Sequence, residues 1–172
     1  MESGLLNTLV EGAKALGALA TPVVVVVVAY IFQRKQKVAE AAMAERIRRI
    51  TLISPLLNRI FSYRQRVGAY LDWSPEEILQ AKRDADREFR TYEFLWSPEY
   101  REAYHRFMEE CFATHRGEGN KAGIRANEGH YPKKASSTNW QAFTGEEVDK
   151  GRNQQAYNQL QSITARDLGF TH

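Results

Sequence analysis

The chain has only one cysteine, Cys111, among its 172 residues. An intrachain disulfide is therefore impossible, and a zinc site built from several thiolates is excluded. Three metal-competent residues lie near it in sequence, but on a helix the pair His105 and Glu109 lies about 120° or more from the pair Cys111 and His115. We therefore predict no metal site and no cofactor.

Recognisable catalytic and nucleic-acid-binding motifs are also missing. The run GEGNKAG at 117–123 lacks the Gly before Lys and the following Ser or Thr that a P-loop requires. No Ser, His and Asp set has the context of a nucleophile elbow, and no carboxylate pair is marked as catalytic. No helix-turn-helix, zinc finger or RNA-binding motif surrounds the basic residues, which disfavours nucleic acid as a partner. The sequence predicts a protein that is not an enzyme.

Charge is absent from the 18 residues between Ala15 and Phe32, which include six consecutive valines. As a helix these residues would be about 27 Å long, close to the thickness of a hydrocarbon core, about 30 Å. We predict a transmembrane helix over 15–33, preceded by a short segment at 1–14. The negative mean hydropathy of −0.52 agrees with one span, because the rest of the chain is rich in polar residues.

Positive charge follows the predicted span. Arg34, Lys35 and Lys37 come directly after it, whereas the first ten residues carry Glu2 and no Lys or Arg. A cleaved signal peptide needs a basic segment there, so we expect the helix to be retained. Because Lys and Arg stay on the cytoplasmic side, we expect a single-pass inner-membrane protein with 1–14 outside and the C-terminal part in the cytoplasm.

Two features of the predicted span suggest motion or association. Ala13, Gly17 and Thr21 are spaced four residues apart, which would let two helix backbones approach closely and favours a homo-oligomer. The alternative is that small residues are simply common in membrane helices. Pro22 removes one backbone donor and predicts a hinge in the helix.

No Gly or Pro occurs between the span and Pro55. We therefore predict a basic stalk helix over 34–53 and an all-α cytoplasmic domain of about four helices over 54–172. Ser54 and Pro55 suggest a kink or a new helix start. A helical seam with three-four spacing, interrupted by Arg64, contains Ile50, Ile53, Leu57, Ile60, Val67 and Leu71.

The pattern WSPE occurs twice, beginning at Trp73 and at Trp96. Ser as a cap, Pro in the first turn and the acidic residues predict helices over about 75–94 and 98–115. Thr144 and Glu147 predict the start of a last helix, and Gly169 its end. The expected core stripes are Ile78, Ala85, Phe89 and Tyr92 on the first helix, Tyr100, Tyr104, Phe107 and Cys111 on the second, and Val148, Tyr157, Leu160 and Ile163 on the last.

Residues 116–143 show no apolar period and predict a long loop. Bases exceed acids by seven over 34–66, whereas acids exceed bases by five over 72–110. One interpretation is that the basic helix packs beside acidic ones; the other is that clustered cations bind acidic lipid or a small anionic ligand. The candidate anion-binding residues are Arg46, Arg48 and Arg49 on the helix, and Lys121, Arg125, Lys133, Lys134 and Trp140 in the loop, which could otherwise be a solvated linker.

The sequence thus predicts a membrane protein with a cytoplasmic helical module that binds another protein and itself, in contact with lipid. The alternative is an oligomeric membrane effector of the kind found in antiphage defence, which disrupts the bilayer when a nucleotide or other anionic ligand binds its cytoplasmic domain. An anchored enzyme acting on a phosphorylated or lipid substrate is the third possibility. The three differ in what the C-terminal part does once it is held at a membrane.

Overall fold

The computed structural model describes most of the chain. The described residues are 2–116, 121–131, 142–146 and 149–170, and their side chains are described from Val25 onward, except those of residues 114–116 and 121.

The described chain is mostly helical, as predicted, and divides into two compact units, Met1–Ala44 and Glu45–His172. A small antiparallel sheet accompanies the helices, and the sequence did not predict it. The elements are α1 (Glu2–Gln65), α2 (Pro75–Thr91), α3 (Pro98–Cys111), β1 (Phe112–Arg116), β2 (Lys121–Ile124) and α4 (Lys150–Asp167).

The first unit consists of the N-terminal part of α1. Every large apolar side chain from Val25 to Phe32 is 48–69% exposed. Among the residues that were described, no helix is long and apolar enough to cross a membrane.

Several predictions concern residues 13–24 of α1, whose side chains lie outside the described residues. They concern Ala13, Gly17, Thr21 and Pro22, together with the first ten residues of the predicted span 15–33. The helix itself continues through residue 22. Close packing by the small residues and a hinge at Pro22 stay predictions.

In the second unit α1 continues through Ser54 and Pro55, so of the two expected alternatives a new helix start is wrong, and a kink stays a prediction. Pro55 has no backbone N–H, so the helix loses one hydrogen bond there, which costs about 3 kcal/mol of stability. Ile53 and Leu57 on either side are 0% and 3% exposed, and burying each such side chain gains about 1.5–3 kcal/mol. Packing therefore keeps the helix intact across the proline.

The predicted seam is correct as far as Ile60, which is fully buried. Val67 and Leu71 are 48% and 44% exposed, so their assignment to the core is wrong. The reason is that α1 ends at Gln65, where Arg66 adopts a left-handed φ of 59° and turns the chain away.

The two WSPE sequences cap helices as predicted. Ser74 accepts a hydrogen bond from the backbone N–H of Glu77, whose carboxylate accepts one in return from the backbone N–H of Ser74. Ser97 accepts from the backbone N–H of Tyr100. The predicted stripes face the core, although Tyr92 is only half-buried, and the fully buried members are Ile78, Ala85, Phe89, Tyr100, Tyr104, Phe107 and Cys111.

Helix α3 ends at Cys111, four residues earlier than predicted, and the chain continues directly as strand β1. Phe112 pairs with Ile124 and Ala113 with Gly123 in the antiparallel ladder. The expectation of a loop without regular structure over 116–143 is therefore wrong at β2 and at a short 3₁₀ turn, Glu128–His130. Strand pairing between distant residues leaves no helical or capping signal in the local sequence.

Helix α4 begins at Lys150 with Asp149 as its cap, because the Asp149 carboxylate accepts from the backbone N–H of Arg152 at 3.0 Å. The prediction of a start at Thr144 is wrong: Thr144 Oγ1 accepts a 3.4 Å bond from the backbone N–H of Glu146. Its predicted capping partner, residue 147, and the predicted core residue 148 lie outside the described residues. Gly169 ends the helix with a left-handed φ of 76°, as predicted.

Candidate functional site

Arg46, predicted as an anion ligand, lies between two parts of the backbone. Its Nε donates to the carbonyl of Leu95 at 2.9 Å, and its Nη1 donates to the carbonyl of Asp167 at 3.0 Å. Arg46 therefore joins α1 to the turn before α3 and to the end of α4. These bonds give the residue a structural role.

Arg49 is also engaged within the protein. It bonds to the carboxylates of Glu45 and Glu88 at 2.6 and 3.2 Å, and its guanidinium lies 3.6 Å from the centre of the Tyr92 ring. The pair with Glu88 joins α1 to α2, which supports the interpretation that the basic helix packs beside acidic ones. Arg48 differs, because its side chain is 70% exposed and approaches Glu45 only at 3.9 Å.

The loop cations are only partly described. Arg125 bonds to the carboxylate of Glu146 at 3.0 Å and to the carbonyl of Phe112 at 3.3 Å. No contact between Arg125 and the predicted ligands on α1 occurs in the part of the chain that the structure describes. The side chain of Lys121, and the whole of Lys133, Lys134 and Trp140, lie outside the described residues.

A different arginine, Arg64, is the unusual cation of this protein. It lies in the last turn of α1, and only 2% of it is exposed. Its Nη2 donates to the carbonyl of Glu110 at 2.8 Å. Among the described residues its Nε and Nη1 have no hydrogen-bond partner.

The side chains around the end of α1 form a polar network that reaches from the buried Asn153 to the exposed Lys150. Gln65 donates to the carbonyl of Lys150 at 2.8 Å and to the amide oxygen of Asn153 at 3.2 Å. Lys150 donates in return to the carbonyl of Gln65 at 2.9 Å, and Asn153 donates to the sulfur of Cys111 at 3.1 Å. The network joins the end of α1 to the end of α3 and the start of α4, beside Arg64.

Two ionisable neighbours of Arg64, the Cys111 thiol and the Tyr131 phenol, are neutral at physiological pH. Burial raises the pKa of the Cys111 thiol to about 11, against smaller lowering effects of Arg64 and of Asn153. Burial likewise raises the pKa of Tyr131 to about 12, against lowering by Arg64 and Arg66. A protonated thiol and a protonated phenol supply no negative charge. The positive charge of Arg64 is therefore not compensated by these neighbours.

The sequence contained one sign of this site. Arg64 stands four residues after Ile60 in the apolar seam, a position at which a residue of α1 faces the core. A charged residue at such a position is unusual and marks a group that needs a specific partner. The interruption was noted in the sequence, but its burial depended on where α1 ends.

A metal site is not formed by the described residues, which include no group of three or more potential metal-ligating side chains. His105, for example, packs edge-on against the Phe89 ring with 5.3 Å between centroids.

No protein-family model, no curated protein and no solved structure matches this chain. Its function is therefore inferred from its own residues.

Proposed function

We propose that this protein is anchored in the inner membrane by the N-terminal part of α1 and that its unit Glu45–His172 is a non-catalytic module that binds protein, including a second copy of itself. In this proposal the segment 1–14 lies outside, and the module lies in the cytoplasm. Arg34, Lys35 and Lys37 support the orientation, because cations next to a span stay on the cytoplasmic side.

The observation that carries the proposal is the exposed apolar run from Val25 to Phe32. A run of eight residues with seven large apolar side chains, each 48–69% exposed, is unfavourable in water, at about 25 cal/mol for each Å² of apolar surface. Such a surface favours contact with lipid or with another apolar surface. The residues that precede this run in sequence are also uncharged, and together with it they are long enough for a membrane span.

Two exposed aromatic rings support binding by the module. Phe94 is 80% exposed and Phe170 is 70% exposed. They belong to neighbouring segments, because Arg46 bonds to the carbonyls of both Leu95 and Asp167. Exposed large aromatic side chains on neighbouring segments are typical of a protein contact.

The charges near these rings favour a protein partner over an anionic lipid surface. Arg101 pairs with Glu93 at 3.5 Å, and Arg166 pairs with Glu99 at 3.6 Å. Arg166 also approaches Asp167 at 3.7 Å, so neither of these cations is left in excess, and an apolar centre with a rim of both signs suits a second copy of the same surface.

Sedimentation tests the anchor. The full-length chain should pellet with membranes, resist extraction at alkaline pH and dissolve in detergent. The double substitution Val26→Arg and Val28→Arg should move it to the supernatant, because each Arg in the centre of a span costs about 2.5–3.5 kcal/mol. Val38→Arg is the matched control, since Val38 is also 65% exposed but lies beyond the predicted span. A wild-type chain that stays in the supernatant as a folded monomer would contradict the anchor.

The second candidate function is a membrane effector whose module responds to an anionic ligand. The buried, uncompensated charge of Arg64 favours this candidate, because an anion is the partner that such a group lacks. Overproduction distinguishes the two functions: an effector should depolarise cells through its anchor, whereas an interaction module should be tolerated.

A further inference from the structure

The starting point is the environment of Arg64. Moving a charge into the interior without a partner costs several kcal/mol, and proteins therefore pair buried charges. Arg64 is 2% exposed, and within the described ranges no carboxylate forms a salt bridge with it. Its Nε and Nη1 together carry three N–H groups, none of which has an acceptor among the described residues.

The nearby charges point to a ligand of negative sign. Arg66 follows Arg64, and Lys150 reaches the carbonyl of Gln65 at 2.9 Å. The acidic neighbours are already engaged, since Asp149 caps α4 and pairs with Arg152 at 3.1 Å, and Glu110 lies 4.0 Å from Arg152. The end of α1 thus brings together three positive charges, those of Arg64, Arg66 and Lys150.

The type of donor narrows the class of ligand. A guanidinium is planar and presents its N–H groups in a fixed geometry that suits the oxygens of carboxylate and phosphate. The polar side chains beside it, those of Gln65, Asn153 and Cys111, are bonded to one another, so Arg64 itself supplies the donors for a ligand. Three donors of one cation without an acceptor among the described residues are best used by a ligand with several acceptor oxygens, which a phosphoryl group has.

We propose that Arg64 is the principal ligand of a phosphoryl-binding site at the junction of α1, α3 and α4, with the positive charges of Arg66 and Lys150 adding to the attraction. The phosphoryl group belongs either to inorganic phosphate or to a nucleotide. The inference concerns only the unit Glu45–His172 and does not depend on the anchor, so failure of the sedimentation experiment leaves it standing.

Thermal unfolding of the full-length chain in detergent tests the site. Inorganic phosphate should raise the Tm by about 5 °C near saturation, because a ligand that binds only the folded state stabilises it. Sodium chloride at the same ionic strength is the control and should not raise it. AMP is the second probe: a larger rise with AMP than with phosphate at equal concentration assigns the site to a nucleotide, and an equal or smaller rise assigns it to free phosphate.

Two variants make the test specific. Arg64→Met should abolish the response to both probes, whereas Arg48→Met, which changes an exposed arginine of the same helix, should respond like the wild type. Arg64→Lys keeps the charge without the planar donor group and should weaken the apparent affinity about tenfold or more. If Arg64→Met does not fold, calorimetric titration of the wild-type chain and of Arg64→Lys with phosphate replaces it. The proposal is overturned if neither probe has an effect beyond that of chloride, if Arg64→Met responds like the wild type, or if the titrations show no binding.

Discussion

The hydroxyl of Tyr104 donates a hydrogen bond of 2.8 Å to the carboxylate of Asp86. Tyr104 is 1% exposed, and burial raises its pKa far above the ordinary value for a phenol, with the charge of Asp86 as the second cause. The same carboxylate pairs with Lys82 at 2.5 Å. The hydrogen bond between Tyr104 and Asp86 joins α3 to α2 across the core and gives the buried hydroxyl of Tyr104 a partner.

Removing this hydroxyl should destabilise the fold. Tyr104→Phe should lower the free energy of unfolding by about 1.5–3 kcal/mol, the range for a hydrogen bond to a charged group. Tyr157→Phe is the matched control, since its hydroxyl bonds only to the exposed side chains of Asn58, at 3.4 Å, and Gln161 among the described residues, and it should cost less than about 0.5 kcal/mol. Urea unfolding followed by circular dichroism measures both values, and equal losses would contradict a special role for the Tyr104 bond.

Stability should fall at alkaline pH. The folded state raises the pKa of Cys111 from 9.0 to about 11, so the unfolded chain loses this proton first. The stability that the protonated thiol contributes is present below about pH 9 and is lost as the pH rises toward 11, by up to about 2–3 kcal/mol. The buried tyrosines add to the loss at higher pH.

The variant Cys111→Ala isolates the part due to the thiol. Its stability at pH 8 reports the packing cost of the substitution, and its further fall between pH 8 and 11 should be smaller than that of the wild type. Urea midpoints at the two pH values give both quantities. Parallel falls in the two proteins would show that the thiol does not titrate as described.

Arg46 and Arg48 should differ sharply although they are close neighbours on α1. Arg46→Met leaves the carbonyls of Leu95 and Asp167 without their donor and should cost about 1–3 kcal/mol. Arg48→Met removes an exposed side chain and should change stability by less than about 0.5 kcal/mol. Thermal unfolding compares them, and a similar loss in both variants would argue against the structural role of Arg46.

Self-association should depend on the exposed rings of the module. The double substitution Phe94→Ser and Phe170→Ser should weaken the dimer of the detergent-solubilised chain about tenfold or more without lowering its Tm, because both rings are at least 70% exposed. Analytical ultracentrifugation measures the dissociation constant. Leu52→Ser is the control for the loss of exposed apolar surface, since Leu52 lies on α1 and is 48% exposed. A dimer that tolerates the double substitution would place the contact elsewhere.

The helix starts at Ser74 and Ser97 could be predicted from sequence because capping depends on residues within three or four positions. The buried stripe of α3 was predictable for a similar reason, since helical spacing alone aligns Tyr100, Tyr104 and Phe107. The start of α4 was missed because Thr144 and Asp149 both offer a capping oxygen. Which of these two residues caps the helix depends on how the preceding strand and turn pack.

The burial of Arg64 and the strands β1 and β2 could not be read from local patterns. Phe112 becomes part of a strand because Ile124, twelve residues later, pairs with it. Arg64 enters the interior because α3 and α4 close over the end of α1. Both outcomes depend on contacts between distant residues, which periodicity and composition do not record. The sequence therefore did not predict which cation is buried with nitrogens that have no acceptor among the described residues.

The contacts of Arg46 also decide how this protein can be divided for study. A recombinant fragment starting at residue 54, where the sequence alone suggested a domain edge, would omit Arg46, Arg49 and the buried Ile50 and Ile53. It would remove two buried side chains from the core and leave the carbonyls of Leu95 and Asp167 without their Arg46 donor. A fragment starting at Glu45 would retain all of these contacts and is the shorter piece from which crystals or resonance assignments of the module should be sought.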